Sequence, residues 1–174
     1  SSGFSETGNF SLQEEVLSIA RDGGIRVLGP NCQGLANLAE GIPLTFSGAL
    51  YDAPRPPAGH VAFVSQSGAF GFSSFGVGME HGVRFRYVVT TGNQSDLDAV
   101  ECADYVLEDP EVRLLMLYLE GLEDGEAFLR LVRKARERDV AVAVLKAGRS
   151  PSSREAAKSH TAALTGDARV WSAV

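Results

Sequence analysis

Five short apolar runs punctuate the chain, and the segments between them set the fold. The runs are Ile25-Arg26-Val27-Leu28, Val61-Ala62-Phe63-Val64, Phe85-Arg86-Tyr87-Val88-Val89, Leu114-Leu115-Met116-Leu117-Tyr118-Leu119 and Ala141-Val142-Ala143-Val144-Leu145. A half-solvated strand alternates apolar and polar residues, so runs apolar at nearly every position read as strands covered on both faces. Helical patterns over 12–22, 97–107 and 126–138, and a Gly-rich stretch over 67–80, separate them. Strands joined by helices must run parallel, because a crossover returns the chain to the same end of the sheet. The expected architecture is therefore α/β: a three-layer sandwich on a mostly parallel five-stranded sheet.

The helix starts carry cap signals. Ser11-Leu12-Gln13-Glu14 has capping-box form, and Ser95-Asp96-Leu97-Asp98 has it with Asp in place of Glu. In the last helix Ala127, Phe128, Leu131, Val132 and Ala135 form one apolar stripe, and Arg130, Arg133, Lys134 and Arg136 to Arg138 read as a solvated face. The stretch 38–59, with Pro43, Pro54, Pro56 and Pro57, reads as a long irregular connection holding an edge strand at Leu44 to Phe46. The chain begins at Ser1 without a methionine and stops at Val174 inside a new amphipathic turn, the pattern expected of a fragment.

Composition narrows the function classes. A length of 174 residues with 44% hydrophobic side chains suits one globular domain. Sixteen basic against 22 acidic residues give a net charge of -6, which excludes nucleic acid and an anionic membrane as expected partners, so any bound anion must be held locally. No apolar run approaches the roughly 20 residues of a membrane span, and no basic-then-apolar signal pattern is read in these residues. Cys32 and Cys102 stand 70 positions apart with no metal-ligand spacing. A reducing, cytoplasmic setting is expected, with no metal site.

In open parallel sheets ligands bind beyond the carboxyl ends of the strands. The residues there are Gly29-Pro30-Asn31-Cys32-Gln33-Gly34, Ser65-Gln66-Ser67-Gly68-Ala69, Thr91 to Asp96, Glu120-Gly121 and Lys146-Ala147-Gly148-Arg149. Ser65, Gln66, Ser67, Gly68 and Ala69 join a buried strand to a helix, where free N–H groups and the helix dipole can hold an anion without lysine; a plain Ser N-cap is the other reading. Glu120 ends a buried strand and should have a partner, since an unpaired buried carboxylate is costly. His160 lies in a small-residue loop, Ser159-His160-Thr161-Ala162, and reads either as a surface histidine or as an imidazole oriented by Glu120 at one nitrogen while the other acts. His60 and His81 read as structural, and Cys102 as core. Cys32 fits active-site lining and inert packing equally. No GxxxxGK[ST] or GxGxxG occurs, so a nucleotide would come with another domain.

These loops together resemble the succinyl-CoA synthetase α-subunit and, more closely, the ADP-forming acyl-CoA (acetyl-CoA) synthetases. The resemblance runs from Ser2-Gly3-Phe4-Ser5-Glu6-Thr7-Gly8 through Gly29 to Gly34, Val64 to Gly71, Gly92 to Asp98 and Tyr118 to Gly121, ending at Lys158-Ser159-His160-Thr161. It implies a flavodoxin-like domain over 11–174, truncated at its C-terminus, with 1–10 as the end of an absent N-terminal CoA-binding domain. It implies that His160 carries a phosphoryl group and that Glu120 hydrogen-bonds its other ring nitrogen. The helix start at Ser65 to Ala69 would face the phosphate, and Asn31 and Cys32 would lie on the CoA and thioester side. The implied cofactors are CoA and phosphate, with ADP or ATP and Mg held by an ATP-grasp partner domain or β-subunit, and the isolated fragment should not turn over.

Two rivals stand beside this reading. Similar domains fused to acetyltransferases look like acyl-CoA sensors, against which the presence of both His160 and Glu120 counts. Ser67, Glu120 and His160 also follow the chain order of an α/β-hydrolase triad, but Ser65 and Ala69 stand where a nucleophile elbow needs glycine.

Overall fold

The computed structural model describes residues 3–50 and 57–147. Helix α1 (Phe10–Asp22) is followed by a hairpin of β1 (Gly34–Asn37) and β2 (Ile42–Thr45). Then come β3 (Val61–Ser65), α2 (Gly68–Glu80), β4 (Phe85–Thr90), α3 (Ala99–Val106), β5 (Leu114–Leu119), α4 (Gly125–Glu137) and β6 (Ala141–Lys146). The six strands form one sheet in the order β2-β1-β4-β3-β5-β6. β4, β3, β5 and β6 are parallel, with Phe63 opposite Val88 on one side and Met116 on the other. β1 runs antiparallel to both β2 and β4.

Helices cover both faces, each over its own core. Phe72 and Phe75 of α2 pack with Ala36, Phe63, Phe85 and Val88 on one face. On the other, Ala99, Ala103 and Val106 of α3 and Phe128, Leu131 and Ala135 of α4 pack on Ala62, Val64, Leu115, Leu117 and Leu119. Burying each such large side chain is worth roughly 1.5–3 kcal/mol, which is how α2 tolerates its glycines. Gly71 is a site of close approach: a Cβ there would stand 2.7 Å from Thr90 Cγ2 and 3.1 Å from Ser65 Cβ. Gly76 has no such reason, its nearest neighbour being Ala49 Cβ at 3.8 Å.

The sheet has six strands where five were expected, and one of the expected five is not among them. Ile25 to Leu28 is not a strand of the sheet; Leu28 makes an isolated bridge to Leu97, and Ile25 is 63% exposed. The backbone here bonds to the loop after β4 instead: Leu97 N–H donates to Val27 O, Ser95 N–H to Gly29 O, and Val27 N–H to the Asp96 carboxylate at 2.6 Å. Gly29, Asn31 and Gly34 at φ 106°, 57° and 90° then turn the chain so that Leu35 lies antiparallel against Val89, in the place a fifth parallel strand would take. The expected edge strand is β2, two residues earlier than placed, with Pro43 on the sheet edge where its missing N–H is tolerated.

The caps shift similarly. α1 is capped by Asn9, whose side chain accepts from Leu12 N–H at 3.3 Å, and Ser11 lies inside the helix. α3 is capped by Asp98, not Ser95, through the Glu101 N–H at 2.7 Å. The basic face of α4 is only partly solvated: Lys134 pairs with Asp104 and Glu108, and Arg138 with Glu108, joining α4 to α3.

Candidate active site

The chain leaves β3 through α2 toward β4 on one side and crosses through α3 to β5 on the other. The order thus reverses between β3 and β5, and in open α/β sheets ligands bind beyond the strand ends at such a reversal. Ser65 and Leu119 end those strands, so Gln66 and Glu120 are the first residues beyond them.

Gln66 is 3% exposed and every polar atom it has is engaged. Its Oε1 accepts the backbone N–H groups of Glu120 at 2.5 Å and Gly121 at 2.9 Å. Its Nε2 donates to Gly121 O at 2.8 Å and to Gln94 Oε1 at 3.2 Å. Its own N–H donates to Tyr118 O, and its carbonyl accepts from Gly92 N–H. A side chain so committed acts as a clamp between the β3, β4 and β5 loops.

α2 begins two residues later, at Gly68. Ser67 caps it, its Oγ accepting Phe70 N–H at 3.3 Å, while the fully buried Ser65 hydroxyl donates to Ser67 O at 2.7 Å. The N–H groups of Gly68 and Ala69 in the first turn have no acceptor among the described residues and point with the positive end of the helix dipole. The Ser67 hydroxyl is engaged in capping. The Asn31–Cys32 loop crosses directly above this turn: a Cβ on Gly68 would stand 2.9 Å from Gln33 N and 3.4 Å from Cys32 C. Cys32 Sγ donates to Leu28 O at 3.6 Å, and Asn31 Nδ2 donates to Asn93 Oδ1 at 3.2 Å.

Glu120 is buried, at 6% exposure, with its peptide held at both ends. Gln66 takes its N–H, and Lys146 Nζ donates to its carbonyl oxygen at 2.6 Å. Burial pulls the Lys146 ammonium below its ordinary value, and the Glu120 charge opposes that fall. The same charge, added to burial, pushes the Tyr118 hydroxyl up. Tyr118 stacks on Phe70 of α2 at 4.2 Å between ring centroids, fixing α2 against β5.

The structure thus brings Asn31, Cys32, Ser65 to Ala69 and Glu120 to one end of the sheet. His160 lies outside the described residues. Three residues of the same end went unassigned in the sequence. Gln94, at φ 53°, accepts at Oε1 from Gln66, from Thr91 Oγ1 and from Ala99 N–H at 2.7 Å. Asn93 donates from Nδ2 to Ser5 Oγ and Gln13 Oε1, tying the N-terminal segment to the site. Lys146 is the third, and a charged residue closing an apolar run was the signal. Elsewhere, burial pushes the Cys102 thiol up to about 12. His60 and His81 bond backbone carbonyls at 2.8 and 2.9 Å. Among the described residues no three His, Cys, Asp or Glu side chains gather to hold a metal, and no helix is long and apolar enough to cross a membrane.

Residues 58–174, which carry the clamp, the helix start and Glu120, match the model of the succinyl-CoA ligase like flavodoxin domain. The chain belongs to this family. The chain is 36% identical over 99% of its length to the ADP-forming acetate–CoA ligase I of Archaeoglobus fulgidus, of which it covers 25%. It is 35% identical over 98% of its length to the α subunit of the ADP-forming acetate–CoA ligase II of Pyrococcus furiosus, covering 36% of that subunit. It superposes with a TM-score of 0.86 and 35% identity on the dinucleotide-forming acetyl-coenzyme A synthetase 1 of Candidatus Korarchaeum cryptofilum, solved with phosphate and ADP, over 99% of this chain and 36% of that one. The chain therefore spans a quarter to just over a third of these relatives, and the flavodoxin-like α/β class expected from the sequence holds.

Proposed function

We propose that this chain is the phosphohistidine-bearing domain of an NDP-forming acyl-CoA synthetase, which converts acyl-CoA, phosphate and ADP into acid, CoA and ATP. The observation that supports it best is the buried Glu120 at the β5 end, its backbone N–H held by the side chain of Gln66, two residues before α2 begins at Gly68. Phosphate displaces CoA from the thioester carbonyl and leaves an acyl phosphate. One ring nitrogen of His160 attacks its phosphorus, the carboxylate departs, and Glu120 accepts the hydrogen bond of the other ring N–H, which aims the attacking lone pair. The N–H groups of Gly68 and Ala69, with the cap at Ser67 and the support of Ser65 and Gln66, receive the phosphoryl oxygens. Asn31 and Cys32, on the loop above that turn, line the CoA and thioester side. The phosphoryl group then passes to ADP, held with Mg by an ATP-grasp domain or subunit beyond this chain. Phosphate fits the described residues by its charge: backbone donors at a helix start bind it in a protein of net charge -6.

The test uses the intact synthetase, wild type and His160→Ala, with Mg and labelled ATP. Acid-labile, alkali-stable label in the wild type alone is the expected result. Label retained in His160→Ala, or none in either while CoA still binds, refutes the carrier role.

A further inference from the structure

We propose that Lys146 is a positioning residue of this site, its ammonium offsetting the charge of Glu120 so that an anionic phosphoryl group can lie beside that carboxylate. The inference rests on the phosphoryl-transfer reading above and adds a residue to it. The problem it solves is electrostatic: a buried carboxylate and a phosphoryl group repel one another more strongly away from water than in it. Backbone donors at a helix start carry partial charge only and do not cancel a full negative charge nearby.

Lys146 stands where a cancelling charge is needed. It is the last residue of β6, in register opposite Leu119, one position before Glu120. Its side chain is half-buried and turns back across the strand end, with Nζ 2.6 Å from Glu120 O and 2.5 Å from Ala147 O. Taking a lysine out of water costs more than leaving it extended into solvent, and the two carbonyl bonds with the carboxylate charge are what hold it there. Arg26, near the neighbouring β4 loop, is committed to Asp96 and Glu101. Gln66 and Lys146 thus hold the backbone of Glu120 from both sides, at its N–H and at its C=O, and Lys146 adds the charge that Gln66 lacks.

The intact synthetase tests this with inorganic phosphate as the probe, titrated by calorimetry, and label transfer from ATP followed in parallel. Lys146→Gln keeps a donor for the Glu120 carbonyl and removes the charge, and Lys146→Arg keeps both. Lys146→Gln is expected to weaken phosphate binding by about tenfold or more, with CoA affinity unchanged, and Lys146→Arg to stay within about threefold of wild type. The pair Glu120→Gln with Lys146→Gln, which restores the charge balance, should return to within about threefold as well. Phosphate affinity in Lys146→Gln within twofold of wild type overturns the proposal, and so does an equal loss in Lys146→Arg. Should Lys146→Gln fail to fold, the paired variant decides: an affinity more than tenfold below wild type refutes charge compensation. A wild type that binds phosphate with this dependence but takes no label refutes the phosphohistidine reading and leaves Lys146 in its role. A wild type that binds no phosphate refutes both.

Discussion

The side-chain oxygen of Gln66 accepts the backbone N–H of Glu120 at 2.5 Å, and that bond ties the end of β3 to the end of β5 where the strand order reverses. Parallel strands diverge beyond their last ladder bond, so a carboxylate placed there would wander unless something held its backbone. Gln66 does so with an amide that has the two functions a peptide has, and it therefore continues the sheet by one more rung.

Gln66→Ala leaves the N–H groups of Glu120 and Gly121 and the carbonyl of Gly121 without this partner. The expected cost is about 2–4 kcal/mol, read from urea midpoints. If Glu120 orients His160 as proposed, phosphoryl labelling should fall further than the lost folded fraction accounts for. A variant as stable as wild type would show that the clamp is dispensable.

Two glycines of α2 should respond with opposite sign. Gly71→Ala drives a methyl into Thr90 and Ser65 and is expected to destabilise by about 1–3 kcal/mol. Gly76→Ala meets open space beside Ala49 and should stabilise by about 0.5–1 kcal/mol through helix propensity. Thermal melts of the two variants side by side check the sign.

Asp109 fixes the far end of the sheet and sets an acid limit. Burial works against its carboxylate, but the Arg86 guanidinium at 2.5 Å, the Glu111 N–H and the Tyr87 hydroxyl hold it below its ordinary value. A depressed carboxylate contributes stability that is fully present above its unfolded pKa, near 4, and fades as pH falls through its lower folded value. Asp109→Asn should therefore cost about 2 kcal/mol at pH 7, and the gap from wild type should close below about pH 4. Unfolding curves at pH 7, 5 and 3 supply the comparison.

Cys102 is expected to resist alkylation. Burial first, then the charges of Asp98 and Glu101, push its thiol up to about 12, so at pH 8 almost none is thiolate. Iodoacetamide should leave it unmodified in the native protein over times that label it fully in urea, as mass spectrometry of the Cys102 peptide would show.

Four of the five expected strands, β3 to β6, lie where the apolar runs placed them. β3 to β5 are buried or half-buried at every position, as cover on both faces requires, while β6 at the sheet edge leaves Ala141, Ala143, Val144 and Leu145 exposed. The exception is instructive. Ile25 to Leu28 is as apolar as its fellows, yet its hydrogen bonds go to the loop at 95–97, a choice made by residues 70 positions away. Gly34 to Asn37, which takes its place, carries no comparable signal. The caps were read two or three residues astray because Asn9, Ser11, Ser95 and Asp98 are all competent caps, and helix packing selects among them.

The sequence by itself determined the α/β class, the crossovers and the loops that bear polar groups, since hydrophobic periodicity and strand-to-helix junctions are local properties of the chain. Tertiary structure alone decided which of those loops meet. The antiparallel β1–β2 hairpin sets the Asn31–Cys32 loop above the start of α2, and the reversal between β3 and β5 brings Gln66 to Glu120 across 54 positions of sequence. Lys146 reaches Glu120 because β6 pairs in register with β5. A hydrogen bond is made over about 3 Å of space whatever the separation along the chain, so the chemistry of each residue could be read in the sequence and its partner could not.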